Sequence, residues 1–282
     1  VILFAEGAAL KQVGEIPFKI CQQYVDEMII VDNDEICAAI KDVFEDTRTI
    51  LEPAGALAVA GGKSYIKKNN VNSKTFVATA SGANMNFDRL GFVSERAEIG
   101  EEREAIFAVT IPEKPGAFKD FCGLIGKRNI TEFNYRYSSD SSANIFVGIG
   151  VQNFDESDSL METLKNASLD PIDLTHNEVA KLHLRHLVGG HAPEAKNEVI
   201  YRFEFPEKPG ALLNFLEQMG HWNISLFHYR NHGSDIGRVL VGMQVDEKST
   251  EEFQEFLKNL GYTYINETNN EAYKIFLGKN HF

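Results

Sequence analysis

Basic charge is what this chain has least of. Lys and Arg total 28 against 41 Asp and Glu, a net charge of -13. A phosphate backbone demands a basic patch, so nucleic acid is excluded as the main partner. Long apolar runs are absent as well: none approaches the ~18 residues a membrane-spanning helix needs. Cysteine is scarce. Cys21, Cys37 and Cys122 are an odd set without metal-ligand spacing, which predicts reduced thiols in a reducing compartment such as the cytoplasm. No Gly-x-Gly-x-x-Gly occurs, so the dehydrogenase fingerprint is missing. An initiator methionine is missing too. The chain opens Val1-Ile2-Leu3-Phe4-Ala5-Glu6-Gly7 without a polar lead-in. That reads like the middle of a domain and predicts a partial sequence. The opening run does not read as a signal peptide, because no basic segment precedes it and Glu6 interrupts it.

What remains is ordinary for a folded protein: 282 residues, 43% apolar and 24% charged. That length predicts two or three domains. An internal repeat organises the second half. Residues 104–117 return as 198–211, both containing Pro-Glu-Lys-Pro-Gly-Ala, at an offset of 94. Over 104–151 against 198–245, 18 of 48 positions are identical without a gap. Two copies of one domain follow.

Each copy has a legible order. Residues 105–111 are a β-rich apolar run, and Pro-Gly then opens a helix over 117–127. Strands over 130–137 and 144–151 flank a polar turn, a second helix includes Leu160 and Leu164, and a short strand begins at Pro171. This β-α-β-β-α-β order is the ferredoxin-like unit. Copy two ends on a helix at 249–260 and a strand at 262–266. Residues 177–186 read as a connecting helix stopped by Gly189-Gly190, and 269–277 as a terminal helix. His183 and His186 lack a third ligand and read as a solvated helix face.

The first hundred residues follow another pattern. Helices are expected at 16–25, 36–44, 54–69 and 87–98, with N-cap candidates at Asp32, Asn33 and Asp34. Strands are expected at 28–31 and 74–80, which together predict a parallel sheet covered by helices. Ser81-Gly82 would then lie beyond a strand's carboxyl end, where such sheets bind ligands. A hydroxyl there can donate to a ring nitrogen; Ser-Gly as a plain turn is the other reading.

Several stretches in order resemble one family. They are Phe4-Ala5-Glu6-Gly7, Ile36-Cys37-Ala38-Ala39, Leu51-Glu52-Pro53-Ala54-Gly55-Ala56, Ser81-Gly82-Ala83-Asn84, Ser94-Glu95-Arg96, both Pro-Gly-Ala repeats, 131–136 and 223–230. The whole chain is similar to the carboxyl-terminal part of the biosynthetic threonine dehydratases. The resemblance implies the end of a fold type II pyridoxal-phosphate catalytic domain (1–100), then two ACT-like domains (104–176 and 198–282) joined by 177–197. It implies conversion of L-threonine to 2-oxobutanoate and ammonia on the route to isoleucine. It implies isoleucine as inhibitor, valine as activator in some members, and a homotetramer. A plastid address, in a plant member, would lie upstream. Ser81 matches the serine that bonds the cofactor's ring nitrogen; Gly82, Glu52 and Gly7 match pocket-lining positions. Glu52 also reads as a carboxylate favoured by a helix terminus. The family's Schiff-base lysine sits in a Ser-Phe-Lys-x-Arg-Gly motif, which these 282 residues do not contain. No catalytic residue is therefore assigned, and the chain alone is expected to be inactive.

A free amino acid needs donors for its carboxylate, acceptors for its ammonium and an apolar slot. Gly116 and Gly210 at helix starts suggest an anion site, with Asn129 and Asn223 expected close to the first strand-helix loop. On the resemblance, Tyr135 and Tyr229 contact the effector, and Arg136 and Arg230 are counted with them. Alternation along a strand would instead point the arginines to the other face, toward a contact between domains. A stand-alone amino-acid-sensing module without chemistry is the competing function.

Overall fold

The computed structural model describes residues 3–137, 141–187, 189–206, 210–219, 222–231 and 236–278. The chain divides into two compact units, Val1–Arg103 and Glu104–Phe282.

The first unit is built on helices. A 3-10 turn, Leu3–Ala8, is followed by α1 (Glu15–Tyr24), α2 (Asn33–Thr47), α3 (Pro53–Lys68) and α4 (Arg89–Gly100). Sequence chemistry sets the α2 boundary. Asp32 accepts from the Glu35 N–H at 2.9 Å, and Glu35 accepts from the Asp32 N–H at 2.8 Å, a complete capping box. Ile36, Ala39 and Ile40 of α2 meet Ala56 and Ala60 of α3 and Val93 and Ala97 of α4. Small residues permit that approach. Asp34 and Arg96 form a buried ion pair inside the same cluster of helices. The expected strands are not formed. Residues 25–31 and 74–80 carry no regular structure, and among the described residues this unit has no strand. Ile30 and Val77 are 92% and 96% exposed. β-propensity draws a segment out, but a strand exists only where a neighbour takes its backbone hydrogen bonds.

The second unit carries the repeat. Copy one runs β1 (Glu104–Pro112), α5 (Ala117–Ile125), β2 (Ile130–Arg136), β3 (Ser142–Gly150), α6 (Phe154–Asn166), β4 (Asp170–Asp173) and α7 (Glu178–Leu182). Copy two runs β5 (Glu198–Pro206), α8 (Ala211–Gln218), β6 (Asn223–Arg230), β7 (Ile236–Gln244), α9 (Thr250–Asn259), β8 (Thr263–Asn266) and α10 (Glu271–Phe276). The β-α-β-β-α-β order holds in both. The strands form one sheet in the order β4-β1-β3-β2-β6-β7-β5-β8. Each half is a ferredoxin-like half-sheet, and β2 joins β6 antiparallel with Phe133 opposite Tyr229 and Tyr135 opposite Phe227. The two copies thus share a sheet, and α5 packs on α8 above the join.

The repeat also extends further than the ungapped alignment shows. Asn177-Glu178, Lys181 and Leu184 recur as Asn270-Glu271, Lys274 and Leu277 at an offset of 93. The hydrogen bonds recur with them. Thr175 Oγ1 accepts from the Ile106 N–H at 3.0 Å, and Thr268 Oγ1 from the Ile200 N–H at 2.9 Å. The connecting helix and the terminal helix, α7 and α10, are therefore equivalent elements.

Candidate functional site

In the first unit, three loops converge. The Glu52 N–H donates to the Gly82 carbonyl at 3.3 Å, tying the start of α3 to the Ser81-Gly82 turn. Gly82 has a φ of +79°, and a Cβ there would overlap the Glu52 carboxylate. A Cβ on Gly55 would overlap the Ser81 carbonyl oxygen, and one on Gly7 would come within 3.1 Å of Ala54 Cβ. Glycine is thus demanded at two of these places, by conformation at Gly82 and by close approach at Gly55. The structure brings Ser81, Gly82 and Glu52 together and sets Gly7 against Ala54 at the start of the same helix, with Ser81 exposed. Gly55→Ala should lower the stability of this unit by about 2 kcal/mol or more, since overpacking shifts backbone. Denaturant titration read on helix content checks this, and an unchanged midpoint contradicts the close approach.

In the second unit, two clefts are related by the repeat. One lies between Gly116, Phe118 and Lys119 at the start of α5 and Trp222, Asn223 and Ile224 at the start of β6. The other lies between Gly210, Leu212 and Leu213 at the start of α8 and Arg128, Asn129 and Ile130 at the start of β2. Gly116 and Gly210 both stand as left-handed N-caps, φ +86° and +81°. The asparagines therefore do not serve the helix start of their own copy, as expected from one ferredoxin-like unit. Because β2 and β6 are the paired strands, the start of each lies beside the helix start of the other copy. Each cleft needs both copies.

The tyrosines lie behind these clefts. Tyr229 lines the Gly210 cleft. Tyr135 packs edge-on against Phe118, a wall of the Gly116 cleft, at 4.7 Å between ring centroids. Its hydroxyl donates to Glu113, and burial together with that carboxylate pushes its pKa up. Arg128, which the sequence reading passed over, borders the Gly210 cleft and pairs with Glu156 at 2.8 Å.

The arginines are elsewhere. Arg136 binds Glu198, the Gly190 carbonyl at 2.9 Å, the Ser225 carbonyl at 3.2 Å and the Leu277 carbonyl at 2.6 Å. Arg230 meets His186 Nδ1 at 2.9 Å. Strand alternation turns both to the sheet face opposite the tyrosines, so they are corrected from effector contacts to contacts between segments of the two copies. His186 is thereby occupied, and no group of metal-ligating side chains exists among the described residues. No helix among them is long and apolar enough to cross a membrane.

A family model described as the C-terminal regulatory domain of threonine dehydratase matches residues 95–184 and 189–277. A pyridoxal-phosphate-dependent enzyme model matches residues 3–82. The chain is 54% identical to the L-threonine dehydratase biosynthetic IlvA of Burkholderia multivorans, covering 98% of this chain and 54% of that protein. It is 50% identical to the Salmonella typhimurium counterpart, covering 98% and 54%. It is 49% identical to the Saccharomyces cerevisiae protein named threonine dehydratase, mitochondrial, covering 97% and 50%. The chain spans about half the length of these relatives.

Proposed function

Because the chain belongs to the family of C-terminal regulatory domains of threonine dehydratase, we propose that it works as the regulatory part of a threonine ammonia-lyase, together with the end of its pyridoxal-phosphate domain. The reaction served is conversion of L-threonine to 2-oxobutanoate and ammonia. Isoleucine, the inhibitor, occupies the two clefts; valine competes there as an activator. The assembly is a homotetramer in the cytoplasm or in an organelle.

The observation that carries this reading is the pair of cross-copy clefts. Each combines a glycine-capped helix start for a carboxylate, an asparagine, and apolar walls. A ligand that spans both copies binds each arrangement of them with a different affinity, which is the requirement for allosteric control. Titration calorimetry on the 282-residue chain should show isoleucine binding, weakened about tenfold, or ~1.4 kcal/mol, by Asn129→Ala or Asn223→Ala. Absence of binding by the unmodified chain overturns the assignment.

The convergence of Glu52, Ser81 and Gly82 supports the catalytic reading over a stand-alone sensor, which has no use for it. These residues fit the ring-nitrogen side of pyridoxal phosphate. The Ser81 hydroxyl would donate to the nitrogen, Gly82 would let the turn pass against the Glu52 carboxylate, and Glu52 and Gly7 would line the wall. The bound cofactor supplies an electron sink for the elimination. A neutral hydroxyl partner leaves the nitrogen uncharged and moderates that sink. Without a Ser-Phe-Lys-x-Arg-Gly motif, the purified 282-residue chain is expected neither to retain pyridoxal phosphate covalently nor to deaminate threonine. Visible cofactor absorbance that borohydride abolishes while leaving the cofactor attached to the denatured chain would overturn this.

A further inference from the structure

The face of the sheet turned away from α5 and α8 holds a polar cluster that the clefts do not use. Glu132 and Asn134 stand on it two residues apart on β2, 1% and 9% exposed. Glu132 Oε1 accepts from Arg185 Nε at 2.9 Å. Among the described residues, Glu132 Oε2 has no partner, and neither does the nitrogen or the oxygen of the Asn134 carboxamide. Each such buried atom costs about 1–3 kcal/mol if left unpaired. Three such atoms on neighbouring same-face positions of one strand call for a common partner.

The missing partner must bond Glu132 Oε2 in either protonation state, donate to Asn134 Oδ1 and accept from Asn134 Nδ2. A cation is disfavoured, because Arg185 already touches Glu132 and Arg230 stands opposite it across the β2–β6 ladder. An organic ligand needs a way in, and these atoms are shut off from solvent. Water satisfies both roles and is small enough. We infer that a buried water, singly or as a short chain, is bound between Glu132 and Asn134 where the two copies meet. The second copy has Leu226 and His228 at the equivalent positions. Leu226 there joins an apolar cluster with Ile200 and Leu277, so the site occurs once per chain. It sits beneath residues 184–186, the segment that Arg185 ties to the sheet.

Asn134→Leu in the full chain separates a wet site from a dry one by sign. If the site is dry, leucine removes an unsatisfied carboxamide and the melting temperature holds or rises. If water bridges, leucine evicts it, strands Glu132 Oε2, and lowers the melting temperature by roughly 3–6 °C. The fall is expected; no change or a rise overturns the inference. Should that variant not fold, a crystal structure of the unaltered chain decides. Solvent density within hydrogen-bond distance of both side chains is expected, and an empty site or direct Glu132–Asn134 contact overturns it.

Discussion

Replacing Arg185 with leucine is expected to cost about 3–5 kcal/mol of stability, the penalty of stranding buried charge. Arg185 holds both carboxylates at once: its guanidinium lies 2.7 Å from Glu132 Oε1 and 3.1 Å from Glu104 Oε1. All three side chains are at most 5% exposed, so water does little to replace the lost partner. The loss should depend on pH. Burial pushes the Glu132 carboxyl up to about 7, against the downward pull of Arg185. The folded chain therefore holds a proton that the unfolded chain, with an ordinary carboxyl near 4.5, releases. Its contribution is fully present below pH 4.5 and lost as pH rises through 7. In Arg185→Leu the folded carboxyl moves up further. The variant should accordingly be hurt most above pH 7, where the stranded group must be charged, and least near pH 5. Denaturant midpoints at both ends of that range check it. A cost below about 1 kcal/mol at every pH would mean the pair is solvated in solution.

This network shows where sequence reading stops. The repeat was plain because identities cluster at one offset, and each copy's strands and helices followed from period and turn chemistry. A gap of one residue hid the equivalence of α7 and α10, although Asn-Glu and Lys recur in both. That β2 pairs with β6 was not legible at all. Either edge of a four-stranded half-sheet can accept a neighbour, and only the packing of aromatic residues across β2 and β6 decides. With that pairing unknown, Asn129 could only be placed beside its own copy's helix, and the shared clefts could not be foreseen. Tyr135 and Arg136 were separable in principle, because adjacent residues of a strand face opposite ways. Segments 28–31 and 74–80 mark the converse limit: apolar β-rich composition predicts a strand, but pairing is a property of the neighbour.

Phe133→Ala is expected to cost about 3–5 kcal/mol, the range for truncating a fully buried phenylalanine. The form of the loss matters more than its size. Phe133 of copy one is 0% exposed, and its ring lies 5.2 Å from Phe227 of copy two, 5.6 Å from Phe118 and 6.0 Å from Phe121. Phe227 is equally buried and reaches Phe118 and Phe215, so one aromatic chain runs from α5 through β2 and β6 to α8. Two domains that merely touch would melt separately, and Phe133→Ala would lower one transition only. A shared core requires a single transition for residues 104–278 that either truncation shifts as a whole. It also requires the double variant Phe133→Ala, Phe227→Ala to cost less than the sum, by about 0.5–3 kcal/mol, because both changes open the same cavity. Calorimetry resolving two transitions, or strict additivity, would dissolve the shared core. The clefts would then lose their rationale. Each is half one copy and half the other, so a bound ligand is gripped from both sides only if the two copies are folded as one cooperative unit.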